Sequence, residues 1–142
     1  MLAGSVYLFI KDELEKYNGN YLEIGIWDGS GISFLAEKYP GRTLYAIDPF
    51  IDDGNTTHVS GVEKGGELTR IREIALKSIS NFENIILHEI KSEDFKHDGN
   101  LNVSFVFIDG DHSLEACVND YKLAMSLIGK KAGAVVFDDV QT

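Results

Sequence analysis

The chain reads as an α/β protein built on one doubly wound parallel sheet. Three observations support this. Short apolar runs alternate with segments of helical period. Most of those runs are continuously apolar, as expected of strands covered on both faces. Two of them stop abruptly in acid: Phe105-Val106-Phe107-Ile108 runs into Asp109-Gly110-Asp111-His112, and Ala134-Val135-Val136-Phe137 into Asp138-Asp139. Right-handed crossovers then give a doubly wound order.

Val6, Phe9, Ile10, Leu14 and Tyr17 recur at helical spacing, so the opening is an amphipathic helix, stopped by Asn18-Gly19-Asn20. Tyr21 to Ile26 is the first strand. Gly29-Ser30-Gly31 breaks the chain, Ile32 to Lys38 is a short helix ended by Pro40-Gly41, and Thr43 to Ile47 is the second strand, closing on Asp48-Pro49. Residues 51–66 form a long polar loop with four glycines and His58, a length associated with function or mobility. Glu67 to Ile79 is a helix with Leu68, Ile71, Ile74 and Leu76 as its apolar side. Asn84 to Glu89 and Val103 to Ile108 are the third and fourth strands. Ser113 to Ile128 is a helix with a buried stripe of Leu114, Cys117, Val118, Tyr121, Ala124 and Ile128, and Ala132 to Phe137 is the fifth strand.

At 142 residues the chain is a single domain, 1–142, able to bury one sheet-centred core. Its 44% hydrophobic and 25% charged content is that of a globular protein. With 13 Lys+Arg against 23 Asp+Glu and a net charge of −10, it lacks the basic balance that nucleic acid or an anionic membrane surface attracts. One cysteine, Cys117, excludes an intramolecular disulfide, and the start lacks the pattern of a signal peptide; the expected compartment is the cytoplasm.

Ligands of open α/β sheets bind outside the carboxyl ends of the strands. The first strand leads into Glu23-Ile24-Gly25-Ile26-Trp27-Asp28-Gly29-Ser30-Gly31, where glycines permit a tight turn and the next helix offers free N–H groups to an anion or carboxylate. A dinucleotide fingerprint has glycine where Trp27 stands, so NAD is disfavoured and a smaller zwitterionic ligand fits better. Asp48 can accept both hydrogen bonds of a ribose diol, or it caps a loop. Acid at two strand ends beside His112 suggests a cation site and a proton-transfer group. Like charges gathered at a buried sheet end need a counter-ion; alone, Asp138-Asp139 would suit a turn equally well, Asp111 suits a cap of the following helix, and a histidine at a helix start is often structural.

Together these segments resemble the class I S-adenosylmethionine-dependent methyltransferases. Glu23 to Gly31 is similar to their first motif and Ala46-Ile47-Asp48 to their second. Val106 to Ser113 and Gly133 to Val140 resemble the metal-dependent small-molecule O-methyltransferases, especially the macrocin-type sugar branch. The resemblance spans 21–140 and implies a Rossmann-like core with strand order 3-2-1-4-5. It implies S-adenosylmethionine as cofactor, with Glu23, Gly25, Gly29, Ser30, Asp48, Ser92 and Asp109 at its binding site. Asp109, Asp138 and Asp139 would hold Mg²⁺ or another divalent cation, and His112 and Asp109 would be catalytic, His112 as general base. A hydroxylated small molecule would be the acceptor. Lys91 stands where the family carries an acid near the adenine. The family also continues into a helix and an antiparallel strand pair beyond Thr142, so the expected form is minimal or truncated, with a homo-oligomer built through the fifth-strand edge. The alternative is a non-catalytic module that binds S-adenosylmethionine or S-adenosylhomocysteine.

Overall fold

The computed structural model describes residues 4–51 and 64–138, with side chains in the second stretch from residue 70. In chain order the elements are α1 (Ser5–Leu14), β1 (Asn20–Ile24), α2 (Ser30–Lys38), β2 (Leu44–Ile47), α3 (Lys64–Ile79), β3 (Ile85–His88), a short 3-10 turn (Ser92–Asp94), β4 (Val103–Ile108), α4 (Leu114–Ile128) and β5 (Ala134–Phe137). The five strands form one sheet in the order β3-β2-β1-β4-β5, every pair parallel. This is the expected doubly wound order. Most of the expected loop, including Thr56, Thr57 and His58, lies outside the described residues; α3 starts at Lys64, within the end of that loop.

Alternation along the strands sorts the core into two layers. Tyr21, Leu44, Ala46, Phe105 and Phe107 face α1, α2 and α3 and pack with Ile10, Leu14, Ile32, Leu35, Ala75 and Ile79. Leu22, Ile24, Ile47, Val106 and Ile108 face the other way, onto Ala124, Leu127 and Ile128 of α4 and onto Phe95. All of β4 is buried, as a central strand of a sheet covered on both faces must be. Polar side chains fix the entries to the strands. The Asn20 carboxamide donates to Leu101 O and accepts from Thr43 N, tying the start of β1 to both neighbours. The Asn84 amide donates to the carbonyls of Ala36, Tyr39 and Arg42 and so satisfies the end of α2.

Two helices are turned relative to expectation. In α4 the buried residues are Asp120, Ala124, Leu127 and Ile128; Leu114, Val118 and Tyr121 are exposed and Cys117 is only half-buried. Ala124 and Ile128 of the expected stripe are buried as expected, but in its first half the helix turns Leu114, Val118 and Tyr121 outward and buries an acid, Asp120. In α3, Ile71 and Ala75 are buried while Ile74 is largely exposed. The exposed apolar face of α4 meets Phe137 of β5 in a shallow hollow. Asp111 does not cap α4: Ser113 does, its Oγ accepting from Ala116 N, while Asp111 accepts from Ser113 N one step earlier.

Candidate functional site

The carboxyl ends of β1, β4 and β5 lie side by side. Ile24 pairs with Ile108 and Ile108 with Phe137. The ladder continues past the strands: Asp109 N donates to Ile24 O at 2.8 Å and Asp138 N to Ile108 O at 3.0 Å. Residues distant in sequence are thereby fixed as neighbours. Gly25 brings the glycine turn onto the tip of β4. At φ +85° a Cβ there would lie 2.3 Å from Asp109 O and 2.9 Å from Gly110 Cα, both backbone atoms, so a glycine is required for this approach.

Asp48, at the tip of β2, holds the other side of the turn. Its Oδ2 accepts from Ile26 N at 2.9 Å and its Oδ1 from Phe50 N at 2.8 Å; Trp27 N donates to it as well. A carboxylate has roughly four lone-pair positions, so with these amides engaged about one remains for a ribose hydroxyl. Burial raises its pKa, and the three amides pull it back down. Asp48 is thus an anchor of the turn. Trp27 takes φ +52°, a left-handed conformation that costs a bulky residue energy and clusters at functional turns. The residue is 42% exposed. Gly29 enters α2 at φ +80° without a side-chain cap, so the start of α2 keeps amide donors facing the turn, apart from Ser30 N, which bonds Asp28 Oδ1.

Glu23 is fully buried in mid-β1 on the α1 side of the sheet. Tyr7 of α1 donates to its Oε2 at 2.9 Å and Tyr21 to its Oε1 at 2.5 Å. Burial pushes the carboxyl up to about 8; the two phenols favour the charged form but are outweighed, and Asp109 and Asp48 add repulsion. Tyr7 and Tyr21 are both driven well up, first by burial and then by the Glu23 charge. The charges of Asp109 and Asp138 add to the rise at Tyr7. The Tyr7 ring lies over Gly31, where a Cβ would come within 1.9 Å of it, and meets Phe107 edge-on at 5.5 Å. Sequence reasoning missed Tyr7, although Tyr7, Ile10 and Leu14 share the i, i+3, i+7 spacing of one helix face.

On the other face Asp120 is 2% exposed, and Ser92 donates to its Oδ1 at 2.5 Å. Burial raises the Asp120 pKa, and the Ser92 hydrogen bond opposes it. His112 is exposed, immediately before the α4 cap. Among the described residues no group of three His, Cys, Asp or Glu is close enough to hold a metal ion; Asp139 lies outside them. Asp109 and Asp138 are nonetheless adjacent at the strand tips. Of the expected set, Gly25, Asp48, Asp109 and Asp138 follow the carboxyl ends of β1, β2, β4 and β5, Gly29 and Ser30 stand at the entry to α2, Glu23 is buried within β1, Ser92 stands beyond β3, and His112 is exposed before α4.

Residues 22–140 match the family described as methyltransferase domain. The chain belongs to that family. The methyltransferase domain is 25% identical over 134 residues to an uncharacterised protein of Acanthamoeba polyphaga mimivirus, covering 93% of this chain and 56% of that one. The domain thus spans a little over half the length of that relative. In fold it is similar to PKMT2 from Rickettsia typhi (TM-score 0.57, 18% identity, 92% of this chain and 24% of that one). It is also similar to the plantazolicin methyltransferase BpumL, solved with a substrate analog and SAH (TM-score 0.55, 13% identity, 94% and 44%). The N-methyltransferase NodS from Bradyrhizobium japonicum gives a TM-score of 0.53 at 16% identity, covering 96% and 70%. At these identities the likeness is one of fold, and it matches a class I methyltransferase core with its strand order. No described helix is long and apolar enough to cross a membrane.

Proposed function

We propose that the domain binds S-adenosylmethionine and transfers its methyl group to a hydroxyl of a small molecule, in the manner of the metal-assisted, macrocin-type branch. The observation that carries the reading is the backbone contact of Gly25 with Asp109 and Gly110. It sets the glycine turn against the acidic tip of β4, next to that of β5, which supports a sulfonium-bearing ligand and an acceptor hydroxyl meeting there. The remaining amides at the α2 N-terminus suit the ligand's carboxylate, and the acidic strand tips suit its ammonium and sulfonium charges.

Asp109 and Asp138 are oxygen donors of the kind Mg²⁺ takes while keeping several waters, and Asp139 extends the set in sequence. When bound, such an ion lowers the pKa of an acceptor hydroxyl. His112, exposed at the rim, is of a chemical type suited to removing that proton near neutral pH. The protein's contribution is then alignment of oxygen, methyl carbon and sulfur. β5 has no partner on its outer side among the described residues, and we place a second copy of the chain there, which light scattering at micromolar concentration would read as a dimer.

Calorimetric titration tests the reading. S-adenosylhomocysteine should bind, NAD should not, and Mg²⁺ affinity should fall in Asp138→Asn. NAD binding without S-adenosylhomocysteine binding overturns the cofactor assignment. Unchanged Mg²⁺ affinity removes the metal.

A further inference from the structure

The apolar face that α4 turns to solvent is used by nothing described so far. Leu114, Val118, Tyr121 and Met125 follow one another at steps of four, three and four. At about 100° per residue they fall within an arc of about 60°. They are 80%, 42%, 46% and 43% exposed. Scattered apolar residues on a surface need no explanation, but a continuous stripe marks a face that something covers. Beside its middle lies the hollow lined by Cys117, Val118, Tyr121 and Phe137, about 300 Å³ in volume.

Steps of four and three are the spacing of a coiled-coil seam. Leu114 and Tyr121 take its d positions, Val118 and Met125 its a positions. Glu115 and Lys122 each follow a d residue and so take e, on the flank opposite the buried Ala124 and Ile128. Both are exposed, and among the described residues neither enters an ion pair within the chain. Charges at such flanking positions set the partner and the orientation of paired helices. In a parallel pair e faces g, here Cys117 and Ala124, and both charges go unanswered. In an antiparallel pair e faces e. With Val118 opposite the partner's Tyr121, Leu114 meets the partner's Met125, and Glu115 comes beside the partner's Lys122. A two-fold axis makes each of these contacts twice. One acid and one base also leave this flank locally neutral in a chain of net charge −10, so a second copy is not repelled there.

We propose that α4 packs antiparallel against α4 of a second copy, across Leu114, Val118, Tyr121 and Met125, with Glu115 of each copy paired to Lys122 of the partner subunit. The inference rests on the second copy placed beside β5 and adds the surface and the orientation of the contact. Phe137 of β5 lines the hollow, so the two regions adjoin. In this register the last turn of the partner's α4 lies beside Leu114, two residues from His112, and the second copy borders the proposed site.

Light scattering over a micromolar to millimolar series tests it on the parent, Val118→Lys, Glu115→Lys, Lys122→Glu and the double exchange, with a melting curve for each. The parent should dimerise. Val118→Lys should fold and stay monomeric; should it fail to fold, the charge variants decide, since both their sites are exposed. Each single reversal sets like charges together twice and should weaken the dimer by about tenfold. The double exchange restores opposite pairing and should return the affinity to within about threefold of the parent's. An equimolar mixture of the two single variants should dimerise where neither does alone. A parent dimer untouched by Val118→Lys and by both reversals is held elsewhere, which overturns the inference and leaves the second copy at the β5 edge standing. Weakening by the single reversals with no recovery in the double exchange or the mixture overturns the antiparallel register. A parent that stays monomeric throughout overturns both.

Discussion

Replacing Gly25 by alanine separates the cost of an unusual backbone from the cost of lost approach, because Gly99 serves as its control. The two glycines have nearly the same φ, +85° and +84°. A Cβ on Gly99 meets nothing within 4 Å, whereas one on Gly25 falls 2.3 Å from Asp109 O and 2.7 Å from its carbonyl carbon. Both variants incur the left-handed strain of about 1–2 kcal/mol. Only Gly25→Ala must also push the tip of β4 away, which adds about 1–3 kcal/mol of overpacking. At about 3 °C per kcal/mol for a domain of this size, Gly99→Ala should lower Tm by about 3–6 °C and Gly25→Ala by about 6–15 °C. Urea denaturation should rank them in the same order. Because the displaced atoms belong to the Asp109–Gly110 tip, Gly25→Ala should also lose S-adenosylhomocysteine affinity, and Gly99→Ala should retain it. Equal destabilisation by the two variants, with affinity intact in both, would refute the claim that the turn and the strand tip are in contact.

Further expectations follow from the charged groups. Glu23 has a folded pKa of about 8, above its ordinary value of 4.5, so the folded state holds the proton more tightly; its contribution is fully present below about pH 4.5 and is lost as pH rises through 8. Between pH 5 and 8, Glu23→Gln should therefore become progressively more stable relative to the parent in urea titrations, and a constant difference would contradict the buried-acid account. Asp48→Asn keeps one acceptor oxygen of the two and should lower both Tm and S-adenosylhomocysteine affinity, by about tenfold or more, since the turn amides of Ile26 and Trp27 lose a charged partner; an unchanged Tm would mean the turn holds without it. His112→Ala should slow methyl transfer by about a hundredfold or more with cofactor affinity nearly intact, and loss of that affinity instead would make His112 structural.

The strands were readable because their periods and their acidic ends agree. Phe105 to Ile108 is apolar throughout since β4 is covered on both faces, and the glycines marked a tight turn, though not the close approach of Gly25 to the tip of β4. What could not be read were charges spent on internal bonds. Asp120 breaks the apolar face of α4, so a count of hydrophobic positions turned the helix towards Leu114, Val118 and Tyr121. Its burial is made tolerable by Ser92, a residue 28 positions away that no helical period can reveal. Tyr7 likewise is drawn inward by a hydrogen bond to Glu23, formed only once α1 lies on β1. Asp48 looked like a ligand acid; that its oxygens bond the backbone of its own neighbours depends on the turn being folded.

The central claim is that the glycine turn and the tips of β4 and β5 form a single ligand crevice, and a crystal structure of the chain grown with S-adenosylhomocysteine tests it most directly. The account predicts density with the homocysteine end against the Gly25 turn and Asp109 and the ribose next to Asp48. Density for the ligand elsewhere on the protein, with the crevice holding only solvent at saturating concentration, would contradict it.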